Sequence, residues 1–126
     1  MDLHEYFDAT KGFGVLSTAD RSGRVNAAAF ARPHCFEDGT VGFIMPDRLT
    51  YNNLRENSCA TYLFREDPES DGRRYDGVRL YLNKVGEDDD PERISKLRRR
   101  AYGDQREGRH LVLFEVDKKL PLVGAV

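Results

Sequence analysis

A cation and a hydroxyl stand where an apolar run gives way to a helical pattern. Val41-Gly42-Phe43-Ile44-Met45 is stopped by Pro46, Asp47-Arg48-Leu49-Thr50 follows as a polar turn, and Tyr51 to Asn57 spans about two helical turns. A helix start presents N–H groups that have no partner inside the helix, together with the positive end of its dipole. Arg48 adds a full charge and Thr50, the expected N-cap, a hydroxyl. These are the parts of a phosphate site. They are equally the parts of a plain strand–loop–helix connection with a solvated Arg48, and residue types alone leave both readings open.

Other chemistry is sparsely supplied. His4, His34 and His110 are scattered, with no metal-type spacing to Cys or carboxylates, so no metal site is expected. His34 and Cys35 are neighbours on a strand and point to opposite faces, which excludes both a shared metal and a nucleophile–base pair. The sequence has no G-x-S-x-G, Walker or G-x-G-x-x-G motif. The basic run Lys96 to Arg100 is short, faces the acidic run Glu87 to Asp90, and lacks interleaved aromatics. It reads as a solvated helix face rather than a nucleic-acid patch.

The elements that must position Arg48 and Thr50 are mostly strands. Leu3, Tyr6 and Phe7 recur at helical spacing before Lys11-Gly12, which predicts a short opening helix packed on the core. Phe13 to Ala19 reads as a strand, Asp20 to Gly23 as a hairpin turn, and Val25 to Phe36 as one long strand that bends at Pro33 or lies there at a sheet edge. Within it Ala27, Ala28 and Ala29 are poor strand formers. Such a strip suits close approach of something flat, or tight packing under a helix. Glu37 to Thr40 is the next turn and Cys59 to Phe64 the strand after the central helix. Arg65 to Asp76 is a polar, charged loop. From Gly77 to Val85 the pattern alternates, with Val78, Leu80 and Leu82 on one face and Arg79, Tyr81 and Asn83 on the other. Asp90-Pro91 opens a third helix through Ile94, Leu97 and Ala101, ending at Tyr102-Gly103, and His110 to Val116 is the last strand. About six strands, joined mostly by hairpin turns as an antiparallel meander, predict a small barrel.

Composition sets the outer bounds. The 126 residues form one domain, large enough for a real core. A net charge of −2 gives no global pull toward nucleic acid or anionic membrane, and no apolar run is long enough to cross a bilayer. The N-terminus lacks a signal-peptide apolar region, and Cys35 and Cys59 lie in apolar strand patterns. The expected location is the cytoplasm and the expected state of both residues a buried free thiol.

Gly14–Asp20 (GVLSTAD), Gly23–Pro33 (GRVNAAAFARP), Asp38–Asn57 (DGTVGFIMPDRLTYNNLREN) and the strand CATYLF resemble, in order and spacing, the pyridoxamine 5'-phosphate oxidase-like family of FMN-binding split barrels. The resemblance runs from Glu5 to about Val123. It implies a mainly β fold with short helices, a six-stranded antiparallel split barrel. It also implies FMN, with the phosphate at Arg48, Leu49 and Thr50 beside the N-L-x-x-N helix that carries Asn53. The ring would lie near Asn26, Ala27, Ala28, Ala29, Ile44 and Met45. It further implies a homodimer with the flavin in a groove between subunits, and a small-molecule or protein redox partner. Two positions depart from the family's pattern. Leu49 stands where a second cation is common, and Asn26 where the true oxidases carry Arg; their extended C-terminal substrate segment is also missing. An FMN-dependent oxidoreductase or small electron carrier is therefore expected rather than vitamin B6 oxidation. The alternatives are an F420- or haem-binding member of the same superfamily, or a non-catalytic flavin-binding module.

Overall fold

The computed structural model describes residues 2–68, 75–98 and 108–124. Among these, three short helices accompany seven strands, one more than the sequence pattern predicts. The extra strand comes from the run Val25 to Phe36. It is not one strand but two, β2 (Val25–Ala29) and β3 (His34–Cys35), because residues 30–33 leave the ladder before Pro33, which has no N–H to donate. The others are β1 (Gly12–Ala19), β4 (Val41–Met45), β5 (Cys59–Glu66), β6 (Gly77–Asp88) and β7 (His110–Pro121). The helices are α1 (Leu3–Ala9), α2 (Leu49–Glu56) and α3 (Pro91–Arg98). The helix end expected at Tyr102-Gly103 and the middle of the expected loop, residues 69–74, lie outside the described residues, and Arg65 and Glu66 at the loop's expected start belong to β5.

All strand pairs are antiparallel, and the sheet order is β2-β1-β5-β6-β7-β4-β3. The order is no simple meander, since α2 carries the chain from β4 on one flank to β5 on the other. It also forces curvature. The two edge strands, β2 and β3, are separated in sequence by residues 30–33 alone. Fully extended, that link reaches about 18 Å. A flat sheet of this many strands would set its edges about 29 Å apart. The sheet must therefore curl into a half-barrel, aided by irregular pairing of β6 with β7 at Tyr81/Leu82 and Lys84/Gly86.

The concave face holds the core. Along β6 the alternation is as expected, with Val78, Leu80 and Leu82 buried and Arg79, Tyr81 and Asn83 half-buried between them. β5 alternates likewise. Ala60, Tyr62 and Phe64 point inward while Cys59 and Leu63 are exposed, which corrects the expectation that both thiols are buried. Cys35 and Cys59 are free. The core is a chain of aromatic contacts, mostly edge to face. Phe7 of α1 meets Phe64 at 5.2 Å and Tyr62 at 6.2 Å, and Phe43 meets Tyr62 at 4.9 Å and Phe114 at 6.0 Å. Phe7 and Tyr6 thus give the opening helix its packing, as their spacing predicts. Gly14 is required here. A methyl group at that position would lie 1.9 Å from the Tyr62 hydroxyl, which donates to the Phe30 carbonyl at 3.1 Å. No described helix is long and apolar enough to cross a membrane.

Candidate functional site at the start of the second helix

β4 is buried along its whole length, so the chain reaches Pro46 from inside the core and turns sharply outward. The Arg48 N–H donates to the Pro46 carbonyl at 2.9 Å, and the Arg48 carbonyl accepts from Asn52 N–H at 3.0 Å. Arg48, not Thr50, is therefore the N-cap residue, in extended conformation and with no side-chain cap bond. Thr50 is displaced from that role because its side chain turns toward the sheet. It is 6% exposed, and its hydroxyl oxygen accepts from Asn26 Nδ2 at 3.3 Å. The outcome suits an anion. The first turn of α2 has neither a side-chain cap nor an acidic residue, and the exposed Arg48 stands beside it.

The helix start is held in place by two polar links, one buried and one half-buried. Asn53, 3% exposed, donates to the hydroxyl of Thr18 at 3.1 Å, and Thr18 sits opposite Asn26 in the β1–β2 register. Asn26–Thr50 and Thr18–Asn53 thus fasten the first and second turns of α2 to the β1–β2 hairpin. With its amide engaged inward, Asn53 positions the helix. Thr18 escapes sequence reasoning, although a signal exists: it occupies an inward position two residues beyond the fully buried Leu16, where an apolar side chain is the default.

The remaining positions divide clearly. On the edge strand β2, Ala27 and Ala29 are exposed on the outer face, and Ala28 lies opposite Leu16 on the inner one. An edge strand pairs on one side only, so the other side of this small-residue strip is backbone available to a flat ligand. Ile44 and Met45 are core residues. Ile44 packs with Ile94 and Leu111, Met45 is 0% exposed, and the Met45 carbonyl accepts from Arg109 N–H at 3.0 Å. Their side chains present nothing to a ligand. Leu49 is 57% exposed beside Arg48.

Folding also joins residues that lie far apart in sequence. Tyr51 stacks on His110 with centroids 3.8 Å apart, and its hydroxyl donates to Glu87 Oε2 at 2.8 Å. Burial, then the Glu87 carboxylate, raises the Tyr51 pKa to about 12. Burial opposes ionisation of Glu87, but the bonds from Tyr51 and Lys84 prevail and hold its carboxyl below the ordinary range.

No protein-family model matches the sequence, and no curated protein matches it. Solved structures do match. An FMN-binding protein from Syntrophomonas wolfei superposes with a TM-score of 0.79 at 20% identity, over 98% of this chain and 86% of that one. A candidate pyridoxamine 5'-phosphate oxidase from Lactobacillus delbrueckii gives 0.65 at 10% identity, over 95% and 92%. An F420 reductase gives 0.65 at 18% identity, over 95% and 98%. The haem storage protein HutZ from Vibrio cholerae gives 0.61 at 17%, over 92% and 89%. Identities this low speak for architecture, and with the curled seven-stranded sheet they agree on one: the chain has the pyridoxamine 5'-phosphate oxidase-like split-barrel fold.

Proposed function

We propose that the protein binds FMN at the start of α2 and serves as a flavin-dependent oxidoreductase or small electron carrier. The observation that carries this reading is the uncapped, acid-free first turn of α2 beside Arg48, fastened to β2 by the Asn26–Thr50 bond. A phosphate monoester needs charge and donors where it leaves water. Arg48 supplies the charge, the first-turn N–H groups supply donors, and Thr50 keeps its hydroxyl hydrogen because its oxygen accepts from Asn26. The exposed Ala27 and Ala29 backbone would lie along the ring. When bound, the isoalloxazine supplies the redox chemistry. The chain's residues bind it and orient it.

The purified protein should show flavin absorption bands, or take up added FMN with micromolar or better affinity. A colourless protein that gives no heat with FMN in calorimetry would defeat the reading. The solved neighbours described as an F420 reductase and a haem storage protein motivate the alternatives. A 420 nm deazaflavin band or a Soret band would favour one of those instead. Steady-state turnover with NAD(P)H separates an enzyme from a binding module.

The same reading includes a homodimer. The convex face of β2-β1-β5 exposes Val25 (77%), Phe13 (58%) and Leu63 (39%), and Val15 lies opposite both Leu63 and Ala29. A contiguous apolar sheet face of this kind marks an interface. Light scattering should give twice the 14.4 kDa chain mass. Leu63→Arg should shift it to the monomer, because a guanidinium would have to be buried in the contact. A wild-type monomer at micromolar concentration would remove the dimer from the proposal.

A further inference from the structure

We propose that Glu87, Asp89 and His110 form a site for a single divalent transition-metal ion, with zinc as its simplest occupant. The three residues lie where the end of β6 meets the start of β7, under the first turn of α2. One donor atom from each falls within 4.8 Å of the other two. His110 Nδ1 is 3.0 Å from Asp89 Oδ1 and 3.5 Å from Glu87 Oε2. Ligands around tetrahedral zinc, bonded at about 2.0–2.1 Å, are spaced about 3.3 Å apart, so two edges of the polyhedron stand nearly at their final length. One imidazole and two carboxylates suit zinc, manganese or ferrous iron better than magnesium, which demands oxygen ligands in strict octahedral geometry.

The surroundings orient the donors as a metal's outer ligands do. Tyr51 stacks on His110 at an interplanar angle of 7°, which fixes the imidazole plane. The Tyr51 hydroxyl holds Glu87 Oε2 at 2.8 Å, and Lys84 holds the other oxygen, Oε1, at 3.4 Å. Glu87 is thus gripped from both sides with Oε2 aimed at His110. The site is tilted toward solvent. The side chain of His110 is 15% exposed, that of Glu87 28% and that of Asp89 51%. Three protein donors and an open flank leave one coordination position for water. The ion would bridge two strands that otherwise meet here through hydrogen bonds and packing.

The test is titration of the untagged, chelator-stripped full chain with zinc in calorimetry, with cobalt as a spectroscopic reporter. One zinc per chain at micromolar affinity is expected, with a rise in Tm of roughly 5 °C at saturation. Cobalt should give a visible d–d band. Asp89→Asn, at an exposed position that leaves the core intact, should weaken zinc at least tenfold with little change in the Tm of the metal-free protein. His110→Gln should abolish the cobalt band. Zinc uptake that persists in Asp89→Asn, or that disappears when Cys35 and Cys59 are alkylated, would assign the ion elsewhere and overturn the proposal. So would absence of saturable uptake. None of these readouts depends on flavin.

Discussion

Phe43→Ala should destabilise the protein by about 3–5 kcal/mol, the range for removing a large aromatic side chain from a packed core. Phe43 is 1% exposed and joins three rings, meeting Phe30 at 5.8 Å, Tyr62 at 4.9 Å and Phe114 at 6.0 Å. It therefore connects strands from both flanks of the curled sheet. The void cannot be refilled easily, because its neighbours are rigid rings fixed by other contacts. Tyr62 is bonded to the Phe30 carbonyl and presses on Gly14. Domains of this size are stable by about 5–15 kcal/mol, so the loss is a large share of the whole. Urea titration should show a lower midpoint with an unchanged slope. Phe43→Leu should cost clearly less, since it keeps most of the buried volume. A loss below about 1 kcal/mol for Phe43→Ala would mean that the two flanks do not share one core. No group of the α2 start is removed by this change, so FMN uptake below the unfolding transition should survive.

Strands are legible in the sequence where one face is buried and the other wet. Period-2 alternation alone puts Val78, Leu80 and Leu82 in the core, and the same rule counted backward from Tyr62 leaves Cys59 exposed. Helix α3 is legible from its cap. Asp90 Oδ1 accepts from Glu92 N–H at 3.1 Å, just ahead of Pro91. The split of Val25 to Phe36 into β2 and β3 is not legible. Pro33 announces a break but not that the two halves lie at opposite edges of one sheet. That follows from pairing partners far away in sequence, β1 for one half and β4 for the other.

The candidate site shows the same divide. The strand–loop–helix is visible because it is local. Its cap is misassigned by local rules because Thr50 satisfies them, yet is drawn inward by Asn26, 24 residues away. Ile44 and Met45 match a motif, but both faces of β4 are covered and leave their side chains no ligand to touch. Glu87, Asp89 and His110 carry no joint signal in the sequence, where two belong to a helix approach and one to a strand start. Only the β6–β7 register brings Asp88 opposite Leu111 and so closes the cluster.

Arg48→Ala should weaken FMN binding roughly ten- to a hundredfold, the effect of losing one charge-assisted contact. Arg48 is the cation at the N-cap of α2, and the neighbouring Leu49 contributes none. The phosphate is close to a dianion near neutral pH, so the first-turn N–H groups and Thr50 would have to hold it with dipoles alone. Riboflavin, which lacks the phosphate, should bind wild type and variant about equally, and that comparison separates the phosphate contact from general damage to the loop. The converse change is informative as well. Leu49 is 57% exposed at the first helical position, so Leu49→Lys has room for a second cation. It should tighten FMN several-fold and leave riboflavin alone, while costing the free protein about 0.3–1 kcal/mol because a positive charge at a helix start opposes the dipole. Opposite signs for stability and for FMN affinity in that one variant are hard to produce by misfolding. If Arg48→Ala binds FMN as tightly as wild type, the phosphate lies elsewhere on the barrel.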